Sequence, residues 1–169
     1  YGWGEAWVEN GEVRLRAGDK FFLVTEETYD DFVFEAEVRV PDRESNSGFM
    51  FRAHVDTNRV WGYQAEVDPS ERAWAGGLYD EGRRGWLHPA EGDSVAGARF
   101  REGPGQAFDP TGWNRYRIRA NGDSLKIWVN GTQTTAYTDT VDASGHIGLQ
   151  HHGEEGKVYR FRDVRIREL

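Results

Sequence analysis

Apolar side chains fall at every second position in run after run of this chain, and a period of two is the mark of a half-buried β-strand. Residues 32–40 set Phe32, Phe34, Ala36, Val38 and Val40 against Val33, Glu35, Glu37 and Arg39. Residues 114–120 set Tyr116 and Ile118 against Arg115, Arg117 and Arg119. Residues 124–130 set Leu125, Ile127 and Val129 against Lys126, Trp128 and Asn130, and 12–17 and 157–167 repeat the pattern. Asn10-Gly11, Asn121-Gly122-Asp123 and Asn130-Gly131 supply tight turns. No window of eleven or more residues carries a helical stripe. The spacing of strands and turns predicts an all-β fold, a two-sheet antiparallel jelly-roll sandwich, as a single domain over residues 1–169. Residues 80–112, rich in Gly, Pro and charge, read as one long irregular connection of the length usually kept for function.

The faces turned away from the expected core are unusual. In Ser45–His54 (SNSGFMFRAH), Ser47, Phe49, Phe51 and Ala53 make a core list; Asn46, Gly48, Met50, Arg52 and His54 make the other. In 61–68, Tyr63, Ala65 and Val67 alternate with Gln64, Glu66 and Asp68. In 145–152, Ile147, Leu149 and His151 alternate with His146, Gly148, Gln150 and His152, and a run at 74–79 offers Gly77 and Tyr79 opposite Leu78. Water-facing polar residues are the ordinary state of an outer face, and the uniform Arg115, Arg117 and Arg119 are read that way. The mixed cluster is read as a site. Gly48, Gly76, Gly77 and Gly148 are expected to leave clearance above a sheet, and His54 and His152 are read as candidate acid or base groups. Twenty-three large aromatics accompany 21 Gly. Most aromatics belong in a core, but an exposed ring also packs against the C–H face of a sugar.

Composition removes other chemistries. A net charge of −8 disfavours nucleic acid or an anionic membrane as the main partner. With no Cys there is neither a thiol nucleophile nor a disulfide. There is no apolar run of membrane-spanning length, no phosphate-binding Gly-Lys-Ser/Thr loop, no nucleophile-elbow serine and no helical zinc motif. Glu66-Val67-Asp68 is similar to the acids of sandwich-fold glucanases, but Ser70 stands where a second Glu would be needed. The chain starts at Tyr1, not Met, and is expected to be a mature or excised segment of a secreted or periplasmic bacterial protein, with other domains in the parent chain.

Asn46-Ser47-Gly48 with Arg52, Gly62-Tyr63-Gln64 with Glu66 and Asp68, and Gly77-Leu78-Tyr79 resemble the middle block of the 3-keto-disaccharide hydrolase family. Trp113-Asn114, Asn130-Gly131 and the segment from Gly145 to Gly153 resemble its later block, and Phe161–Ile166 its closing strand. The resemblance covers about residues 7–169. It implies a concanavalin A-like jelly roll acting on glycosides already oxidised to a ketone at C3. The shared outer face points to Glu66 or His152 as base or metal ligand and to Arg52 as the cation that stabilises an enolate, and the resemblance adds a divalent metal ion as a candidate cofactor. Asp68 and Gln150 would hold sugar hydroxyls beside Asn46, Gln64 and His54, with Tyr79 and Trp86 against the ring. The alternative is a carbohydrate-binding module of a larger glycoside-active enzyme, binding an oligosaccharide without chemistry. Fold does not separate the two.

Overall fold

The computed structural model describes residues 1–169 in full. The strands run β1 (Gly4–Glu9), β2 (Glu12–Ala17), β3 (Phe21–Val24), β4 (Phe32–Arg39), β5 (Ser47–Asp56), β6 (Arg59–Val67), β7 (Leu78–Glu81) and β8 (Gly85–His88). After helix α1 (Ser94–Glu102) come β9 (Asn114–Asn121), β10 (Ser124–Val129), β11 (Thr132–Thr138), β12 (His146–His151) and β13 (Val158–Glu168). One sheet has the order β1-β2-β13-β4-β9-β10-β11, the other β3-β12-β5-β6-β7-β8, and neighbouring strands are antiparallel. This is the jelly-roll sandwich that the alternation predicts.

The core lists also hold. Phe34, Val38, Phe49, Phe51, Tyr63, Ala65, Val67, Tyr116, Ile118, Leu125, Ile127 and Leu149 meet in one cluster between the sheets. Phe49 is its centre, with ring centroids 5.5 Å from Phe34, 5.0 Å from Tyr116 and 5.8 Å from Phe161. Burying each such ring is worth roughly 1.5–3 kcal/mol. At the two Asn-Gly hairpin turns both residues take positive φ, 52° and 77° at Asn10-Gly11, 48° and 86° at Asn130-Gly131. That backbone matches the right-handed strand twist.

Three expectations need correction. Residues 74–77 form a turn, and the strand begins only at Leu78. Residues 80–112 are not irregular, because they hold the end of β7, all of β8, α1 and a short 3-10 turn at Pro104–Ala107. The helix has nine residues, too few to show a stripe, and is capped by Asp93 Oδ1, which accepts from Val95 N and Ala96 N at 3.1 and 2.9 Å. Third, the alternation of β5 breaks. Its register with β6 shifts between Phe51 and His54, with Arg52 at φ 44°. This is a β-bulge, an extra residue that turns the following side chains over. Ala53 therefore leaves the main core and packs with Met50, Phe22 and Val60 on the opposite face.

Candidate functional site

The outer face of the six-stranded sheet is built from the second list of each strand. Gly48 lies opposite Glu66 and Met50 opposite Gln64 across β5 and β6. Gln64 lies opposite Tyr79 on β7, which lies opposite Trp86 on β8. Gln150 comes from β12, on the other flank of β5. A cleft of about 320 Å³ opens on this face, and Asn46, Gln64, Glu66, Tyr79, Trp86, Gln150 and His152 all line it.

Glu66 is its focus. The side chain is sunk in the sheet at 4% exposure. Oε1 accepts from Asn46 Nδ2 at 2.6 Å and from an Arg72 terminal nitrogen at 3.1 Å, while Oε2 accepts from Gln64 Nε2 at 2.8 Å. Burial pushes its carboxyl up to about 7, against the downward pull of Asn46, Arg72 and Gln64. Asp68, two residues on, goes the other way. Burial would raise it too, but Ser70 and Arg72 outweigh burial and hold it below the usual carboxylate range. Two acids two residues apart thus have their carboxyls shifted in opposite directions by their surroundings.

Arg72 is the cation of the cleft. Its Nε donates to Asp68 Oδ2 at 2.7 Å, and its guanidinium stacks over Trp86 at 4.9 Å and Trp74 at 5.4 Å. Trp86 meets Trp74 and Tyr79 edge-on, at 4.7 and 5.1 Å, making an aromatic wall. Across the cleft, Glu154 Oε1 accepts from Asn46 N at 3.4 Å and faces His152 Nδ1 at 3.2 Å, and Glu154 Oε2 accepts from Tyr159 Oη at 2.5 Å. Gln150 is 1% exposed, yet neither polar atom of its amide has a partner, nor does Gln64 Oε1. Buried amides without partners are rare. Here they line a cleft, where a polyhydroxylated ligand would satisfy them.

Arg52, His54 and Asp68 are not in this cleft, contrary to expectation. The bulge carries Arg52 to the far end of the sandwich, roughly 13 Å of strand beyond Gly48. There it is 1% exposed and donates to the carbonyls of Asp30, Gly122 and Asp142 and to Asp31 Oδ1. His54 pairs with Asp142 Oδ1 at 2.7 Å and stacks on Trp61. Asp68 serves Arg72 from behind, and its oxygens are taken by Ser70, Arg72 and Trp74 N. The cation, Arg72, was missed because it sits in the Ser70–Gly77 turn, where no period reports orientation. Lys20 and Glu81, ion-paired at 2.8 Å on the cleft rim, were missed for the same lack of pattern.

No three His, Asp or Glu side chains converge as metal ligands. Of the acids that line the cleft, Glu66 is already taken by Asn46, Gln64 and Arg72, and Glu81 by Lys20. The divalent ion that the resemblance implies finds no ligand set here. The space above Gly48 is taken by the Gln64 side chain, which an added Cβ would overlap, so this glycine makes room for Gln64 and not for a ligand. Gly48→Ala is expected to lose about 1–3 kcal/mol, read as a lower urea midpoint.

Residues 1–167 match the sequence profile of the 3-keto-alpha-glucoside-1,2-lyase-like domain. The chain belongs to that family. No protein of curated function matches it. Among solved structures, this lyase-like domain is similar to the carbohydrate binding module CBM66 from Bacillus subtilis, at 14% identity and TM-score 0.69, over 98% of this chain and 92% of that one. It is also similar to a protein described as a glycosyl hydrolase from Parabacteroides distasonis ATCC 8503, at 14% identity and TM-score 0.65, over 97% and 83%. A third is the VIP36 exoplasmic/lumenal domain with bound Ca2+ and Man3GlcNAc, at 9% identity and TM-score 0.62, over 99% and 82%. At these identities the likeness is one of fold. Family membership makes the lyase-like domain carbohydrate-related.

Proposed function

We propose that the domain cleaves 3-keto-glycosides by elimination, with Glu66 as the base. The observation that carries this reading is the carboxyl of Glu66, buried on the cleft floor beside Arg72 and held near 7. A ketone at C3 acidifies the C2 proton. Glu66 takes that proton, and the C–H electron pair forms a C2=C3 bond as the ketone oxygen becomes an enolate. Arg72 supplies the positive charge for that oxygen, the role first given to Arg52. The enolate electrons then return, C1=C2 forms, and the C1–O bond breaks. The departing oxygen takes the electron pair and a proton from His152 across the cleft. Addition of water, hydroxide to C1 and a proton to C2, makes the outcome net hydrolysis. Trp86 and Tyr79 pack on the sugar ring, and Gln150, Gln64 and Asn46 hold its hydroxyls.

A second reading keeps the cleft and drops the chemistry. The unpartnered amides of Gln150 and Gln64 beside the Trp86 wall suit a carbohydrate-binding module, and CBM66 shares the fold. One assay separates the two: a 3-keto-glucoside with a chromogenic aglycone, with and without chelator, across pH. Elimination predicts aglycone release that rises as pH passes through about 7, where Glu66 loses its proton, and that chelator leaves unchanged. Sugar binding without release, at any pH, would decide for the module.

A further inference from the structure

The opposite face of the sandwich, on the seven-stranded sheet, carries a charge arrangement that the cleft does not use. Register places Arg167 on β13 opposite Val33 on β4, Val33 opposite Arg119 on β9, and Arg119 opposite Lys126 on β10. Three cations thus lie in one row across four strands, with a valine as the only interruption. Strands are spaced about 4.8 Å apart, so the row spans roughly 14 Å. Like charges directly opposite each other destabilise a sheet. The next row repeats the theme with Arg165, Glu35, Arg117 and Trp128 in order.

Acids are few along these rows. Glu35 is taken by Arg115 and Arg165 at 2.7 and 3.1 Å. Arg117, Arg119, Lys126 and Arg167 make no ion pair of their own, in a chain whose net charge is −8. Arg117 instead stacks over Trp128 at 5.3 Å. Trp128, Arg115, Arg117, Asn130, Gly131 and the ion-paired Glu35 line an open depression beside the row. The arginines first read as a plain water-facing strand are therefore one line of a wider array.

We propose that this face binds an acidic polysaccharide, one that carries a carboxylate on its sugar residues. A regular polyanion matches cations repeated at strand spacing, and guanidinium groups take carboxylates in a two-pronged hydrogen bond. The Trp128 ring gives a sugar face something to pack on, which a purely ionic patch would lack. Nucleic acid would also stack there, but its denser charge meets more repulsion from the acidic remainder of the molecule. The surface is separate from the cleft, so it positions the domain on a polymer while Glu66 is left free.

The test uses the whole chain in affinity gel electrophoresis and titration calorimetry with polygalacturonate. Neutral dextran and single-stranded DNA are the controls. Polygalacturonate is expected to retard the protein at low salt, with binding lost in 0.5 M salt, roughly as screening of exposed charges requires. The pair Arg119→Gln/Lys126→Gln, and separately Trp128→Ala, should each weaken binding at least about tenfold. Melting temperature and turnover of the 3-keto-glucoside should stay unchanged in both variants. Retention of wild-type affinity by the charge variants would overturn the proposal. So would equal or tighter binding of DNA, or binding indifferent to Trp128→Ala. Failure of the cleft reading would leave the binding outcomes untouched, since they are read without turnover and neither variant reaches Glu66.

Discussion

Glu66→Gln is expected to cut turnover of a 3-keto-glucoside by roughly 10²–10⁴-fold, the usual contribution of a positioned general base, while sugar binding persists. Glutamine matches the shape of glutamate, and its amide oxygen can still accept from Asn46 Nδ2 or Gln64 Nε2. It cannot take a proton from C2. The same variant has a signature in stability. Glu66 holds its proton up to about 7 when folded, against an ordinary 4.5. A raised folded value contributes stability below pH 4.5 that is lost as pH climbs toward 7. By linkage the loss is about 3 kcal/mol, and the side chain is buried, so solvent screening does not erase it. Wild type should therefore lose stability between pH 4.5 and 7.5 relative to Glu66→Gln, as read from urea midpoints at several pH values. Parallel stability curves would show that Glu66 is not held protonated. Undiminished turnover would remove it as the base.

Arg52→Met is expected to destabilise the fold by about 3–5 kcal/mol, the loss typical of breaking a buried charge network. For a domain of this size that is a fall of about 10 °C in melting temperature. The reason is the company Arg52 keeps. Three backbone carbonyls, those of Asp30, Gly122 and Asp142, take donors from one guanidinium. Removing it strands them, at about 1–3 kcal/mol for each group left buried. Arg52→Lys keeps the charge but cannot fork to all three, and should fall between the two. Kinetics distinguish this from a role in the chemistry: at a temperature where the variant is folded, kcat and KM should match wild type. A large fall in kcat with an unchanged melting point would return Arg52 to the reaction.

The contrast between these two residues marks what could be read in advance. Period two assigns a face as long as a strand stays regular, so Phe49, Tyr63 and Leu149 were legible as core, and Glu66, Gln64 and Gln150 as a shared outer face. Arg52 was misplaced because the bulge has no residue signature. The left-handed backbone there is usually a glycine's, and here an arginine adopts it with its guanidinium anchored at five contacts. Arg72 was invisible for a different reason. Its position depends on how the Ser70–Gly77 turn folds back over β6, held by Gly76 N donating to Glu66 O at 2.8 Å. That closure is a tertiary event which local spacing does not encode.

The bulge in β5 also bears on how such a chain can change over generations. Side chains before residue 52 and after it obey opposite alternations, since Met50 and Ala53 share one face. A deletion of one codon at Arg52 would restore a single phase with Phe51 inward and Ala53 outward, so Ala53, His54 and Val55 would keep their present faces and partners while the Arg52 anchor was lost. The Asn46–Gly48 end, where the cleft lies, would keep its pairing with Val67 and Glu66. A one-residue deletion at this point would thus keep both ends of the strand in frame, so a homologue without the bulge needs a gap at position 52, and aligned without one it would have its His54 equivalent assigned to the wrong face.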